Sequence, residues 1–459
     1  MRIDNRKSIS RLVSGVALIP LAIAASPALA EEAQADQAPA EQTPATAGVA
    51  NSGEIIVTAQ RRAQLISKVP MSLTALDNSA LETRQVTDMK DLQFAAPGIR
   101  AGQQQGVTRI FIRGIGLNSF SSGADPSIAF YSDGVYIGRP TAQASAFYDV
   151  ERIEVLRGPQ GALYGRNATG GAVNVISRSA EREFGGYLNL TAGNYELLEA
   201  EGAINAPLSA DGDLRMRVAA HVIDRGGYGY DFGVDHDIND SKAQSVRGQL
   251  QYEDGTGLNL RLIGEYHHEN DYNNYTMSFG AYPGYVLQGV EGTPDPMGEE
   301  GDLLQGIYIN GLTQDTASAL VGKTNIREGA AVTLNAMVPL GEGLSLNSIS
   351  SFRSWDRYNA SNSDGTSAGL GSTYYTENSQ QFSQEAVLNF TSGPLSIIAG
   401  ASYYHEKLSN YVLVPFIQVP TNYIQDGTLN IDAYAAYGQA TLAVIPSVRV
   451  TVGGRYSSE

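Results

Sequence analysis

Apolar and polar residues alternate with a period of two in several runs of the second half of the chain. Leu214, Met216, Val218, Ala220 and Val222 fall on one face, with Arg215, Arg217 and His221 on the other. Leu258, Leu260, Leu262 and Tyr266 oppose Asn259, Arg261, Glu265 and His267. Val448, Val450, Val452 and Tyr456 oppose Arg449, Thr451, Arg455 and Ser457. Such runs are strands with one apolar and one polar face. Strands are predicted at 184–193, 195–206, 213–224, 244–253, 257–269, 327–338, 343–358, 379–391, 394–406, 431–445 and 447–457.

The connections sort by end. Short Pro/Gly/Asp turns fall at 207–212, 254–256, 339–341, 391–393 and 446. Apart from a tight first turn at Asn194, the connections between them are long: 225–243, 270–326, 359–378 and 407–430. An up-and-down sheet trimmed at one end and elaborated at the other is the pattern of a transmembrane β-barrel. A soluble sandwich has no reason to sort its loops this way. The apolar rows should face lipid and the Arg215, Arg217 and Arg449 rows should face inward.

The first half reads differently. Arg2, Arg6, Lys7 and Arg11 precede an apolar run and the small residues Ala28-Leu29-Ala30, which is a secretory signal peptide at 1–30. Its apolar run of about 14 residues is too short to span a bilayer, which needs roughly 20. Residues 31–53 are mostly Ala, Gln, Pro and Thr with four acidic side chains, a linker that cannot bury enough surface to fold. Glu54, Ile55, Ile56, Val57, Thr58, Ala59 and Gln60 then form a short β-prone run with no obvious hairpin partner nearby. It suits pairing with another protein's sheet edge, or it is an internal strand of the next domain. Ser79 to Glu82 has the form of a capping box, predicting a helix toward Leu92 and Phe94 that Pro97-Gly98 stops. Short strands follow at 108–112, 128–131, 134–137, 152–156 and 172–176. In Arg152-Ile153-Glu154-Val155 charged and apolar residues alternate, as in a half-buried strand. The glycines from Gly158 to Gly171 lack the spacing of a phosphate loop and read as turns.

Composition narrows the chemistry. The chain of 459 residues has no cysteine, which excludes a disulfide scaffold and thiolate chemistry. Its five histidines show no metal-ligand spacing, and neither a metal nor a cofactor is expected. A net charge of −17 argues against a nucleic-acid partner. The charge is uneven: net +3 over 54–180 and −19 over 181–459. Asp235 to Asp240 resembles the start of a calcium loop, but Asp240 stands where glycine is required and Val246 where a bidentate Glu is required. A solvated acidic loop is the simpler reading. Tyr272, Tyr275, Phe279, Tyr282, Tyr285 and Tyr308 cluster in the longest loop. Loops of that length are functional or disordered, and Tyr272, Tyr275 and Tyr282 are candidate ligand contacts.

The residues resemble the TonB-dependent outer-membrane receptors. Phe111-Ile112-Arg113-Gly114-Ile115-Gly116, Asp133-Gly134-Val135-Tyr136, the run from Val150 to Gly165 and Gly170 to Ser177 carry the likeness. It implies a TonB box at 54–62, a small α+β plug at 63–180 and the first part of an antiparallel barrel at 181–459. The function implied is active import of a scarce nutrient across the outer membrane of a Gram-negative bacterium, a ferric siderophore above all, with a vitamin or oligosaccharide as alternatives. The partners implied are TonB with its inner-membrane energising complex, outer-membrane lipid and the small ligand, for a monomeric receptor. By position relative to the family's plug, Gln103, Gln104, Gln105, Asn118, Ser119 and Phe120 are expected at the apex, touching ligand. A passive porin would have neither plug nor box. An exported β-rich carbohydrate-active enzyme would need a carboxylate pair or base in a cleft, and no such constellation stands out. Family barrels have about 22 strands, so the chain is expected to be part of a product longer by about 250–300 residues. The linker is too short for the extra periplasmic signalling domain that some members carry.

Overall fold

The computed structural model describes residues 55–58, 64–69, 71–104, 106–119, 121–231, 236–272, 325–362, 372–415, 422–445 and 448–459. The expected signal peptide and linker lie outside the described residues, as do Glu54, Ala59 and Gln60.

The first elements are short. Strand β1 (Ile56–Val57) pairs antiparallel with β2 (Gln64–Leu65). Next come β3 (Leu73–Asp77), α1 (Asn78–Thr83), a 3₁₀ turn at Met89–Asp91 and α2 (Leu92–Ala95). The single helix expected from Ser79 is therefore broken. Its cap is Asp77, whose carboxylate accepts from Ala80 N at 2.8 Å. Gln85, at φ +52°, ends the first helix, and Asp88 caps the next turn in a capping box with Asp91. The hydrophobic spacing survives the break, because Leu81, Met89 and Leu92 are all buried in one core.

Strands β4 (Ile99–Gln104), β5 (Val107–Ile112) and β6 (Ile115–Gly116) form a three-stranded meander. Then come β7 (Ile128–Ser132), β8 (Val135–Tyr136), β9 (Val150–Arg157), α3 (Gly161–Tyr164) and β10 (Gly171–Ser177). These make a five-stranded sheet in the order β3-β9-β10-β7-β8, with β10 and β7 parallel. All five residues of β7 are buried, as in a strand covered on both faces.

Eleven further strands make one antiparallel sheet: β11 (Gly185–Gly193), β12 (Leu197–Pro207), β13 (Leu214–Arg225), then, past a small loop hairpin of β14 (Gly229–Asp231) and β15 (His236–Ile238), β16 (Ser241–Glu253), β17 (Asn259–Asp271), β18 (Asn325–Gly341), β19 (Leu344–Asn362), β20 (Ser372–Ser392), β21 (Leu395–Pro415), β22 (Asn422–Ile445) and β23 (Val448–Ser458). Each pairs with the next, and β11 and β23 are the two edges. All eleven predicted strands are present. The later ones reach far past their predicted ends on the long-loop side: β20 starts at Ser372, β21 runs to Pro415 and β22 starts at Asn422. In these extensions apolar and polar residues no longer alternate, because the inward positions of β20 are filled by buried polar side chains such as Ser372 and Glu377, although the ladder of hydrogen bonds continues. The sequence there reads as loop.

The alternation assigned the faces correctly. Arg215 and Arg217 are buried on the inner side, whereas Val218 and Val222 are exposed on the outer one. Val448, Val450 and Val452 are likewise exposed outward, and Arg455, which shares the parity of Arg449, stacks on the inward Tyr437 ring at 5.1 Å. No helix among the described residues is long and apolar enough to cross a membrane. The crossing elements are strands, whose backbone groups pair with their neighbours as lipid requires.

Candidate functional site

The plug packs on the inner face of the wall through polar contacts that the periodicity alone could not identify. Arg139, in the turn after β8, donates through Nε and Nη2 to both oxygens of Glu406 on β21, each at 2.7 Å. Ser379 and Tyr404 also donate to that carboxylate, at 2.8 and 2.7 Å. Burial disfavours the charged guanidinium, but Glu406 more than offsets this and its pKa is raised. Asp149, held at φ +48°, accepts from Arg217 Nε and Nη2 at 2.8 and 2.6 Å. Arg247 lies over the Tyr148 ring at 4.4 Å and donates to its carbonyl at 3.0 Å; burial pushes the Tyr148 phenol up. Arg261 donates to Ser177 Oγ at 2.7 Å. Backbone groups join in: Gln381 donates to Tyr136 O at 2.6 Å. The inward arginines of the strands are thus partners for the plug.

The tip of the β4–β5 hairpin lies at the long-loop end. The carbonyl of Gly106, at φ +71°, accepts from Arg327 Nη2 at 2.8 Å. Arg327 is two residues from the start of β18 and also contacts Glu269 at 3.1 Å. Asn359 and Arg357, near the loop end of β19, close around the same glycine, and a Cβ there would meet Asn359 Nδ2 at 3.0 Å. With its amide oxygen turned toward Arg327, Gln103 accepts from the same guanidinium. Of the other expected apex residues, Gln104 is in β4, Asn118 accepts from Arg109, and Ser119 Oγ accepts from Ser121 N at 3.1 Å. Gln105 and Phe120 lie outside the described residues. Tyr272 is tied to the loop hairpin: its N donates to Asp240 and its ring packs on His236 at 4.2 Å. Asp240 therefore serves a backbone contact. Tyr275 and Tyr282 lie outside the described residues.

At the other end sits the run that looked unpaired in the sequence. It has a partner after all: Ile56 pairs with Leu65 and Val57 with Gln64, and Ile66 N donates to Ile55 O at 2.9 Å. The side chain of Val57 is completely buried, in a cluster with Leu156, Tyr131, Val387 and Ile398. Val387 and Ile398 lie toward the short-turn ends of β20 and β21. Gln64-Leu65 was missed because two residues carry no periodicity. Between plug and wall runs a cavity of about 760 Å³, lined among others by Tyr136, Tyr164, Arg166, Tyr404 and Arg455. Its tyrosines come from separate elements, so no local motif announces it.

Residues 66–172 match the TonB-dependent Receptor Plug Domain family. The vitamin B12 transporter BtuB of Vibrio vulnificus is 31% identical over 175 residues, 37% of this chain and 28% of that protein. The iron-regulated outer membrane virulence protein of Vibrio cholerae is 28% identical over 221 residues, 45% of this chain and 32% of that protein. Among solved structures, the ferric yersiniabactin uptake receptor FyuA of Yersinia pestis superposes with a TM-score of 0.69 at 17% identity, covering 84% of this chain and 56% of that one. The pyoverdine outer membrane receptor FpvA of Pseudomonas aeruginosa PAO1 gives 0.65 at 16% identity, over 89% of this chain and 60% of that one. A plug domain lodged against outer-membrane barrel strands defines the class. Residues 66–172 of the chain are a plug domain of the TonB-dependent receptor type, the chain as a whole has the fold of these outer-membrane receptors, and it spans about half the length of these solved relatives.

Proposed function

We propose that the receptor imports a ferric siderophore across the outer membrane, using energy delivered by TonB. The observation that carries this reading is the plug itself, latched inside the strand wall with a short strand stowed at its short-turn end. A passive pore has no use for such a plug. Ligand would bind where the β4–β5 tip and the long loops meet, at Gln103, Gln104, Gln105, Asn118, Ser119 and Phe120 with Tyr272, Tyr275 and Tyr282. Glu54 to Gln60 would be the segment that TonB and its inner-membrane complex engage.

The full-length receptor should support growth on one or more ferric siderophores as sole iron source, only in cells with TonB. Uptake unaffected by loss of TonB would point to a passive pore. Growth rescue by cobalamin instead of an iron complex would move the ligand class to vitamins, as the name of the Vibrio vulnificus relative suggests. Degradation of an oligosaccharide without uptake would point to an exported enzyme. Alanine at all six plug-apex positions should weaken surface binding of the ferric complex identified by the growth screen. Unchanged affinity would remove them from the site.

A further inference from the structure

The polar face of β9 is not open to water. Glu154 is flanked by Ala75 of β3 and Asn174 of β10, and its side chain is fully buried. A carboxylate there must be paired and hydrogen-bonded. Its Oε1 accepts from Arg152 Nε at 2.9 Å, from the backbone N of Thr58 at 2.8 Å and from Thr58 Oγ1 at 3.2 Å. Thr58 directly follows β1, whose Val57 is buried beside it. One buried carboxylate thus holds a main-chain donor of the short N-terminal strand.

We propose that Glu154 is the positioning residue that keeps this strand stowed, and that the strand becomes available to a partner's sheet edge only when the Thr58–Glu154 contact opens. This rests on reading 54–60 as the TonB-binding segment. Two ladder pairs alone would not hold the ribbon, so besides the buried side chain of Val57 the carboxylate contact is what fastens it. A partner that adds the segment to its own sheet needs the main-chain donors of that segment, and the carboxylate occupies one of them. When it lets go, Glu154 keeps Arg152 as its counter-charge, so opening does not strand an unpaired buried ion.

The test uses the full-length receptor in detergent without ligand, carrying Val57→Cys as a reporter. Two quantities are read: the maleimide labelling rate of that thiol and retention on immobilised periplasmic domain of TonB. Glu154→Ala should raise the labelling rate on the order of tenfold, the effect of losing a hydrogen bond to a charged group. Retention should rise in parallel. Glu154→Gln keeps an acceptor without the charge and should fall between parent and Ala, which decides the matter if the Ala variant is not inserted. A structural role alone would slow insertion without exposing position 57 in correctly inserted receptor. Labelling at the parental rate in both variants overturns the latch. Faster labelling with no gain in TonB retention leaves the latch standing and overturns the TonB-box reading.

Discussion

Arg139 and Glu406 show what one residue contributes that no pattern predicts. Both are buried, and they meet through two parallel hydrogen bonds across 267 residues of chain. Removing one partner of such a pair leaves an unpaired buried charge, at a cost of about 3–5 kcal/mol, whereas replacing both with apolar side chains is often nearly neutral. Glu406→Ala should therefore loosen the plug, seen as faster proteolysis between β8 and β9, and Arg139→Met with Glu406→Leu should restore most of the resistance. Proteolysis of Glu406→Ala at the wild-type rate would show that the pair does not hold the plug. Gly106 makes a second case. Its positive φ disfavours any side chain, and a Cβ would press on the ends of Asn359, Arg327 and Arg357 at 3.0–3.2 Å. Gly106→Ala should cost about 1–3 kcal/mol, measured as a lowered denaturation midpoint of the receptor, while Gly102→Ala, with nothing within 4 Å, should change little.

Elements were legible to different degrees. The wall strands could be read because one face meets lipid and the other the plug, so period-two alternation runs the length of the bilayer. Their extensions could not, since buried polar residues such as Ser372 and Glu377 stand there where an apolar row would have shown the period. The plug helix was read as one piece because the hydrophobic spacing continues through the break at Gln85. The β1 strand was recognised, but its partner was not. If 54–60 is the segment TonB binds, its backbone matters more than its side chains. Proline removes an N–H and fixes φ, so Val57→Pro should abolish import of a labelled ferric complex while surface binding at low temperature stays near wild type. Normal import by this variant, or loss of binding along with import, would make the segment an ordinary plug strand.

At the largest scale, eleven strands among the described residues form a sheet whose edges, β11 and β23, do not pair with each other. Unpaired edge groups cost several kcal/mol each in lipid. The 459-residue chain by itself should therefore migrate identically on electrophoresis whether boiled or not, because it lacks the closed ladder that gives barrels heat resistance. A heat-modifiable band would show that these strands close on their own. The plug was legible through its resemblance to the receptor family, while the amino-acid sequence by itself was enough to place the bodies of the wall strands, their outward apolar face, and the trimmed and elaborated ends. Each of these is local, set by the two-residue period or by a turn that admits only certain backbone angles. Tertiary structure alone decided that the inward arginines meet Asp149 and the backbone of the plug, that Arg139 of the plug meets Glu406 of the wall, and that Glu154 closes over Thr58. Those contacts join residues tens to hundreds of positions apart. In the sequence a buried arginine and a solvated one look the same, and only the packing of one element on another takes the water away.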